Sequence, residues 1–184
     1  MADFPFLDVS RLLLSRRPGS KGMLPSANVR RSISTTYYAL FHFNVGEACS
    51  GLLGAETAGS RRGRVFARQF AHAGLKASYQ FVRGPFINNA NAADFMRWPP
   101  TATGRVEVPA FARNMADAFL DAQKTRHEAD YDFSAAFNER DARLMIEGAE
   151  KVMREWWAAS TAESRKFKEG LYALMVLGGR LRSE

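Results

Sequence analysis

The densest group of side chains that could do chemistry lies at residues 123–132, near the end of a predicted helix. Arg126 and Asp130 stand four residues apart, as do His127 and Tyr131, so each pair shares one helix face. An arginine beside a carboxylate is first of all an intrahelical ion pair. The same guanidinium could stabilise a phosphate transition state while a neighbouring group transfers protons. We therefore take Arg126, His127 and Tyr131 as the catalytic candidates.

The direction of His127 weakens the case for catalysis. It directly follows Arg126 and lies about 100° around the helix from it, because an α-helix has about 3.6 residues per turn. The two side chains cannot converge on one phosphate as an i, i+4 pair would. Asp130 and Asp132 are then candidates for a structural role, in which Arg126 pairs with one of them and fixes the helix end against a neighbouring helix.

A second polar row is predicted at residues 64–72. A continuous helix would align Arg64, Arg68 and His72 on one stripe, a geometry that suits a nucleic-acid backbone. The alternative is an exposed polar face without a ligand, and the sequence favours it slightly. We count Arg31, on the preceding helix, with the same nucleic-acid-binding candidates.

The helix that contains Arg31 is unusually rich in hydroxyl and aromatic groups. Helical spacing places Tyr38 and His42 on the same side as Arg31, whereas Tyr37 and Phe41 share another side. Buried tyrosines usually have their hydroxyls satisfied by protein partners. We therefore expect both tyrosines to be core residues rather than ligands, and His42 to be a packed histidine rather than a base.

Several classes of site are excluded by the residues present. The single cysteine, Cys49, excludes a disulfide framework and a Cys-x-x-Cys zinc cluster. The three histidines never fall into a spacing such as His-Glu-x-x-His, and there is neither a Walker-type loop nor a Gly-x-Ser-x-Gly elbow. We expect no metal and no cofactor.

The net charge of +7 is concentrated in the first half of the chain. Residues 1–93 hold twelve Lys/Arg against four Asp/Glu, whereas residues 94–184 hold fourteen against fifteen. No acidic residue occurs between Glu56 and Asp94. A segment whose charged residues are all basic attracts phosphate, so RNA or a nucleotide is the leading ligand. A basic face that aids solubility or meets an acidic partner protein is an alternative of equal weight.

The apolar periodicity is helical almost throughout, and we find no convincing strand. It predicts an all-α, antiparallel bundle of four to five main helices in one domain, residues 1–184. The predicted helices cover residues 10–14, 26–53, 61–82, 109–130, 138–159 and 161–177. Apolar spacing predicts a buried stripe on the second of these, formed by Ile33, Tyr37, Leu40, Phe41, Val45 and Ala48, and core positions on the third for Val65, Phe66, Phe70, Leu75, Tyr79 and Phe81. Residues 54–59 form a loop, and residues 84–109 form a long irregular segment, part of which docks through Phe95, Met96 and Trp98.

The chain of 184 residues is long enough for one sizeable core. Its longest apolar stretch, residues 171–177, is far shorter than the roughly 20 residues that span a bilayer, and the N-terminus has no signal-peptide pattern. We expect a soluble cytoplasmic protein with no membrane association. Aromatic residues are enriched at interfaces, so Trp98, Trp156 and Trp157 also favour a homodimer.

The order of these motifs resembles the HEPN (higher eukaryotes and prokaryotes nucleotide-binding) superfamily, over about residues 26–177. A bacterial branch of it has a Tyr-Tyr-Ala-x-Phe-His helix, a histidine in the next long helix and an Arg-x-x-Ala-Asp-Tyr-Asp helix end. The matching segments here are Arg31-Ser32, then Tyr37-Tyr38-Ala39-Leu40-Phe41-His42, then His72, then the run from Arg126 to Asp132. The resemblance implies a bundle of four or five helices that is commonly a homodimer and associates with RNA or nucleotides.

Many members of that superfamily are ribonucleases or toxins in toxin–antitoxin pairs. Their signature is an arginine, four to six residues, then a histidine, but here Tyr131 stands where the histidine is needed. The sequence therefore favours a module that binds RNA or a nucleotide, in a toxin–antitoxin or defence setting, with an antitoxin or nucleotidyltransferase as a partner. A metal-independent ribonuclease and a non-catalytic dimeric interaction protein are the alternatives.

Overall fold

The structure is a computed structural model that describes residues 4–15, 22, 24–97 and 104–178. These residues form nine helices and no strand, and their one β contact is an isolated antiparallel bridge between Phe86 and Glu107. The predicted all-α class is confirmed. The helices are α1 (Pro5–Leu13), α2 (Ser26–Leu53), α3 (Ala55–Ala58), α4 (Arg61–Ala67), α5 (His72–Phe81), α6 (Ala90–Met96), α7 (Ala110–Tyr131), α8 (Glu139–Ala158) and α9 (Ala162–Val176).

The long helix α2 is the centre of the bundle and packs against α1, α7, α8 and α9. Its predicted apolar stripe is buried except for Phe41, which is half-buried, and polar residues on its other faces are buried too. Each of these finds a hydrogen-bond partner: Ser32 Oγ donates to the Ser10 carbonyl at 2.9 Å, and Asn44 Nδ2 donates to the Leu40 carbonyl at 2.8 Å. Buried polar groups are tolerated when satisfied in this way, so α2 can be surrounded by other helices.

One predicted helix is wrong. Residues 61–82 form two helices, α4 and α5, separated by residues 68–71. Phe70 and Tyr79 are both buried, but nine residues of continuous helix would place them about half a turn apart, on opposite faces. The break lets both side chains reach the core, and it makes His72 the first residue of α5.

The remaining helices lie close to their predicted bounds. Helix α2 begins and ends as predicted, and α7, α8 and α9 differ by one residue at each end. Helix α1 begins earlier, with Pro5 in its first turn, which suits a residue that lacks an N–H. The predicted loop at 54–59 contains α3, and the segment at 84–109 contains α6. No helix among the described residues is both long and apolar enough to cross a membrane.

One of the three tryptophans that favour a homodimer is not accessible at the surface. Trp156 is fully buried, where its indole N–H donates to the Tyr172 hydroxyl at 3.1 Å. Trp157 is 39% exposed, and Trp98 lies outside the described residues. Of the two tryptophans that the structure describes, only Trp157 is therefore accessible to a second subunit.

A single arginine of α2 caps the end of α7. The Arg30 guanidinium donates to the backbone carbonyls of Ala129 at 2.9 Å and Asp132 at 3.0 Å, and also to that of Ala135. The last carbonyls of a helix lack intrahelical partners, and the helix dipole places partial negative charge there. Arg30 therefore satisfies the end of α7 and fixes it against the start of α2.

Replacing Arg30 by alanine should lower the free energy of unfolding by roughly 1–3 kcal/mol, because the carbonyls lose a charged donor. Arg30→Lys keeps the charge but not the forked geometry, so its free energy of unfolding should lie between those of the wild type and Arg30→Ala. The neighbouring exposed Arg31 provides the control, since Arg31→Ala should change stability by less than about 0.5 kcal/mol. Urea denaturation measures all three, and equal midpoints for Arg30→Ala and Arg31→Ala would contradict the capping role.

Candidate functional site

His72 meets the two tyrosines of α2. The Tyr37 hydroxyl lies 2.6 Å from His72 Nδ1, and the Phe41 ring packs on the imidazole with the ring centroids 3.9 Å apart. Tyr38 contacts the same imidazole edge-on, at a centroid distance of 5.9 Å. His72 itself remains exposed to solvent. One edge of the imidazole is thus held by the protein, and the ring can still be reached from outside.

A short hydrogen-bonded chain fixes the protonation of this histidine. Burial raises the pKa of Tyr37 to about 12, against the opposing effects of the Gln123 hydrogen bond and the Arg126 charge, so the hydroxyl keeps its proton. Gln123 Nε2 donates to this hydroxyl at 3.4 Å, which leaves the phenol proton to be donated to His72 Nδ1. The neutral imidazole then carries its own proton on Nε2.

The surroundings also keep His72 uncharged. Partial burial lowers the pKa of His72, and the charges of Arg126 and His42 lower it further. The ordinary value is near 6.5, so the ring is neutral at pH 7. His72 therefore presents an N–H donor at Nε2 and has its other nitrogen occupied.

Arg126 packs on the same tyrosines from α7. Its Nη2 donates to the Tyr38 hydroxyl at 3.2 Å, and its Cζ lies 5.9 Å from the Tyr37 ring centroid and 5.5 Å from that of Tyr38. Such distances allow cation–π attraction. Its side chain is 23% exposed, so the charge is partly desolvated yet reachable. We call Tyr37, Tyr38, His72 and Arg126 the Arg–His cluster.

Asp130 links Arg126 back to α2. One carboxylate oxygen lies 2.6 Å from Arg126 Nε, and the other accepts a hydrogen bond from the Ser34 hydroxyl. The Nε–H is not directed at the carboxylate, so the first contact is an ion pair rather than a hydrogen bond. The structure thus contains the predicted contact between the helix end and α2, and it uses Asp130 rather than Asp132.

The other catalytic candidates lie at the edge of the cluster. The rings of His127 and Tyr131 pack on each other with centroids 5.0 Å apart. Tyr131 is 62% exposed and reaches Arg126, whose Cζ lies 5.7 Å from its ring. His127 is exposed and packs on Tyr131 rather than on Arg126, in agreement with the 100° separation of their directions.

Asp132 and His42 belong to separate local structures. The Asp132 carboxylate accepts hydrogen bonds from the Ser134 hydroxyl and backbone, which lower the pKa of this carboxyl group and form a turn after α7. His42 stacks on Phe6 of α1 with centroids 4.7 Å apart, and partial burial lowers its pKa. His42 is thus packed as expected, although it remains exposed on one side.

The predicted row of Arg64, Arg68 and His72 does not form. The break at residues 68–71 separates the two arginines from the helix that His72 begins. Arg64 instead donates to the Gly59 carbonyl at 3.0 Å, and Arg68 and Arg31 are exposed. The three groups therefore do not present one continuous stripe.

Two residues of the site, Gln123 and Ser34, have contacts that the sequence did not predict. Gln123 lies one helical turn before Arg126, which was the available signal for a shared face. Ser34 could be found only from the antiparallel pairing of α2 with α7, which places residues 34 and 130 opposite each other. No group of three or more His, Cys, Asp or Glu side chains suitable for a metal ion occurs in the part of the chain that the structure describes.

No protein-family model, curated protein or solved structure matches this chain. The resemblance to HEPN proteins therefore stays a prediction that rests on the motifs.

Replacing Tyr37 by phenylalanine should weaken the preference of His72 for a proton on Nε2, because the hydroxyl that donates to Nδ1 is lost. The pKa of His72 should stay below its ordinary value, because the burial and the charges that lower it remain. Histidine NMR titration measures the tautomer and the pKa. Tyr38→Phe is the matched control, since Tyr38 contacts the imidazole only through its ring. An unchanged tautomer of His72 in Tyr37→Phe would contradict the hydrogen-bonded chain.

Proposed function

We propose that the protein binds RNA or a nucleotide through a phosphate group held by the Arg–His cluster. The observation that carries this proposal is that Arg126 and His72, from different helices, lie against the same two tyrosine rings. A guanidinium is well suited to phosphate, and a neutral imidazole with its proton on Nε2 adds a second donor. The motifs that resemble HEPN proteins favour the same ligand class.

The aromatic lining suits the remainder of a nucleotide. Tyr38 is partly buried and Phe41 packs on His72, so both present ring surface beside the two donors. Proteins that bind single-stranded RNA commonly stack bases on such rings while cationic side chains hold the backbone. A single-stranded segment or a free nucleotide fits this arrangement better than a duplex, whose bases are already stacked.

Asp130 limits the strength of this binding. Its carboxylate offsets the charge of Arg126, and His72 is neutral, so the cluster by itself carries little net charge. The attraction for a polyanion then comes from the excess of basic residues in residues 1–93. We expect moderate affinity that falls steeply with salt, because phosphate contacts release counterions.

The same geometry disfavours cleavage. A ribonuclease without a metal needs a base to take the proton of a ribose 2′-hydroxyl. In the cluster, Nδ1 of His72 is occupied by Tyr37, and Nε2 already carries a proton. Tyr131 stands at the position where the HEPN signature needs a histidine, and His127 packs on Tyr131. Binding is therefore our proposal, and metal-independent ribonuclease activity is the alternative.

The proposed setting and assembly rest on the resemblance. A toxin–antitoxin or defence role, a nucleotidyltransferase or antitoxin partner, and a homodimer are all expected from related motifs. Exposed aromatic side chains at the end of α7 and on α8, Phe133 at 89% and Trp157 at 39%, supply surface that a second subunit could cover.

Loss of either donor should weaken binding of a fluorescein-labelled single-stranded RNA 12-mer by at least about tenfold, because a charged hydrogen bond is worth roughly 1.5–3 kcal/mol. The variants are Arg126→Ala and His72→Ala, with fluorescence anisotropy at two salt concentrations as the measurement. Arg154→Ala is the matched control, because Arg154 also forms an i, i+4 ion pair, with Glu150 on α8. It should bind RNA like the wild type.

Circular dichroism of each variant separates lost binding from lost folding, and Arg126→Lys keeps the charge if alanine is not tolerated. The RNA recovered from metal-free buffer should be intact. Equal affinity in the wild type and in folded His72→Ala and Arg126→Ala would refute the proposal. Cleavage by the wild type that is lost in Arg126→Ala would establish the ribonuclease alternative instead.

A further inference from the structure

Helix α4 divides its arginines between two sides. Arg61 and Arg62 line a groove of about 740 Å³ together with Leu53 at the end of α2 and three further residues, Val65, Phe66 and Gln69. We call this the α4 groove. Arg64 does not line it and donates instead to the Gly59 carbonyl. The groove is therefore a distinct surface within the basic segment.

The floor of the α4 groove is apolar and accessible. Val65 is 54% exposed, although its spacing predicted a core position, and Leu53 and Phe66 are only half-buried. The backbone of α4 lies close to the end of α3, since a Cβ on Gly63 would lie 2.1 Å from the Ala58 carbonyl oxygen. In this placement of α4, Val65 faces the groove.

The charged residues that line the α4 groove, Arg61 and Arg62, are both positive. Arg61 and Arg62 form no ion pair with any residue that the structure describes, and no acidic residue occurs between Glu56 and Asp94. Both side chains are exposed. An occupant must therefore combine apolar groups for the floor with negative charge for the rim.

We propose that the α4 groove docks an amphipathic helix of a partner protein, whose apolar stripe is flanked at one end by Asp or Glu. The seven residues of α4 span about 10 Å at about 1.5 Å per residue, which matches roughly two turns of a partner helix. Apolar side chains at positions i, i+3 or i+4, and i+7 would cover the floor. The carboxylates would then meet Arg61 and Arg62, which stand together at the start of α4.

This occupant fits the groove better than RNA does. An RNA strand could place phosphates on the two arginines and a base on the Phe66 ring. The rest of the floor is formed by Leu53 and Val65, aliphatic side chains that offer no ring for stacking and that hydrated ribose groups would face. Burial of apolar surface is favourable only when the occupant is itself apolar. The proposal does not depend on the Arg–His cluster, whose side chains lie on α2, α5 and α7.

The experiment measures binding of a fluorescein-labelled 16-residue helical peptide with a leucine stripe and a glutamate cluster at one end. Wild-type protein should bind it, and Val65→Asp and the double variant Arg61→Glu/Arg62→Glu should each weaken binding at least about tenfold. Arg64→Glu is the control, because it reverses one charge on α4 outside the groove. A peptide with lysines in place of the glutamates should bind the double variant better than the wild type.

Three outcomes would overturn the proposal. The first is no binding of the peptide by folded wild-type protein. The second is unspecific charge attraction. It would be indicated if a shuffled peptide with the same composition but no stripe bound as tightly as the striped peptide, or if Arg64→Glu weakened binding as much as the groove variants. The third is displacement of the peptide by the RNA 12-mer in Arg126→Ala protein, which would assign the groove to RNA. Circular dichroism confirms that the variants, all at exposed positions, are folded.

Discussion

The antiparallel docking of α2 against α7 is the contact on which the site depends. One arginine from each helix holds it: Arg30 of α2 caps the carbonyl end of α7, and Arg126 of α7 reaches the Tyr38 hydroxyl of α2. Asp130 adds a third link, through Ser34. A shift of one helix along the other would break these contacts and leave polar groups buried without partners, which is costly. The register of the two helices is therefore specified by polar contacts as well as by packing.

The turn between α4 and α5 completes the site. Phe70 is buried in this turn, and the chain direction changes there, so that His72 begins α5 against Tyr37 and Phe41. The hydroxyl of Tyr37 then decides which nitrogen of His72 carries the proton. A buried tyrosine of the core thus determines what an exposed histidine can offer to a ligand.

Much of this arrangement could be predicted from the sequence, for identifiable reasons. The bounds of α2 follow from its apolar spacing and its Pro and Gly neighbours, and the Arg126–Asp130 pair follows from i, i+4 spacing alone. The break after Ala67 is indicated by Phe70 and Tyr79, which one continuous helix would turn to opposite faces. The polar spacing of Arg64, Arg68 and His72 favours a continuous helix instead, and that prediction is wrong. Contacts between distant helices, such as Ser34 with Asp130, have no local signal.

Val65 has a clear local signal that predicts the wrong position. Its apolar spacing predicts the core, because apolar residues on a helix usually face inward. In the structure it is 54% exposed and lines the α4 groove together with Arg61 and Arg62. The proposed partner helix would cover this side chain.

The most direct test of the Arg–His cluster is an NMR titration of His72 and the Arg126 guanidinium with inorganic phosphate. We predict that the signals of both side chains move together with one dissociation constant, and that phosphate raises the pKa of His72, because a bound anion stabilises the imidazolium form. Signals of His72 and Arg126 that do not respond to phosphate, or that respond with different dissociation constants, would contradict a shared phosphate site.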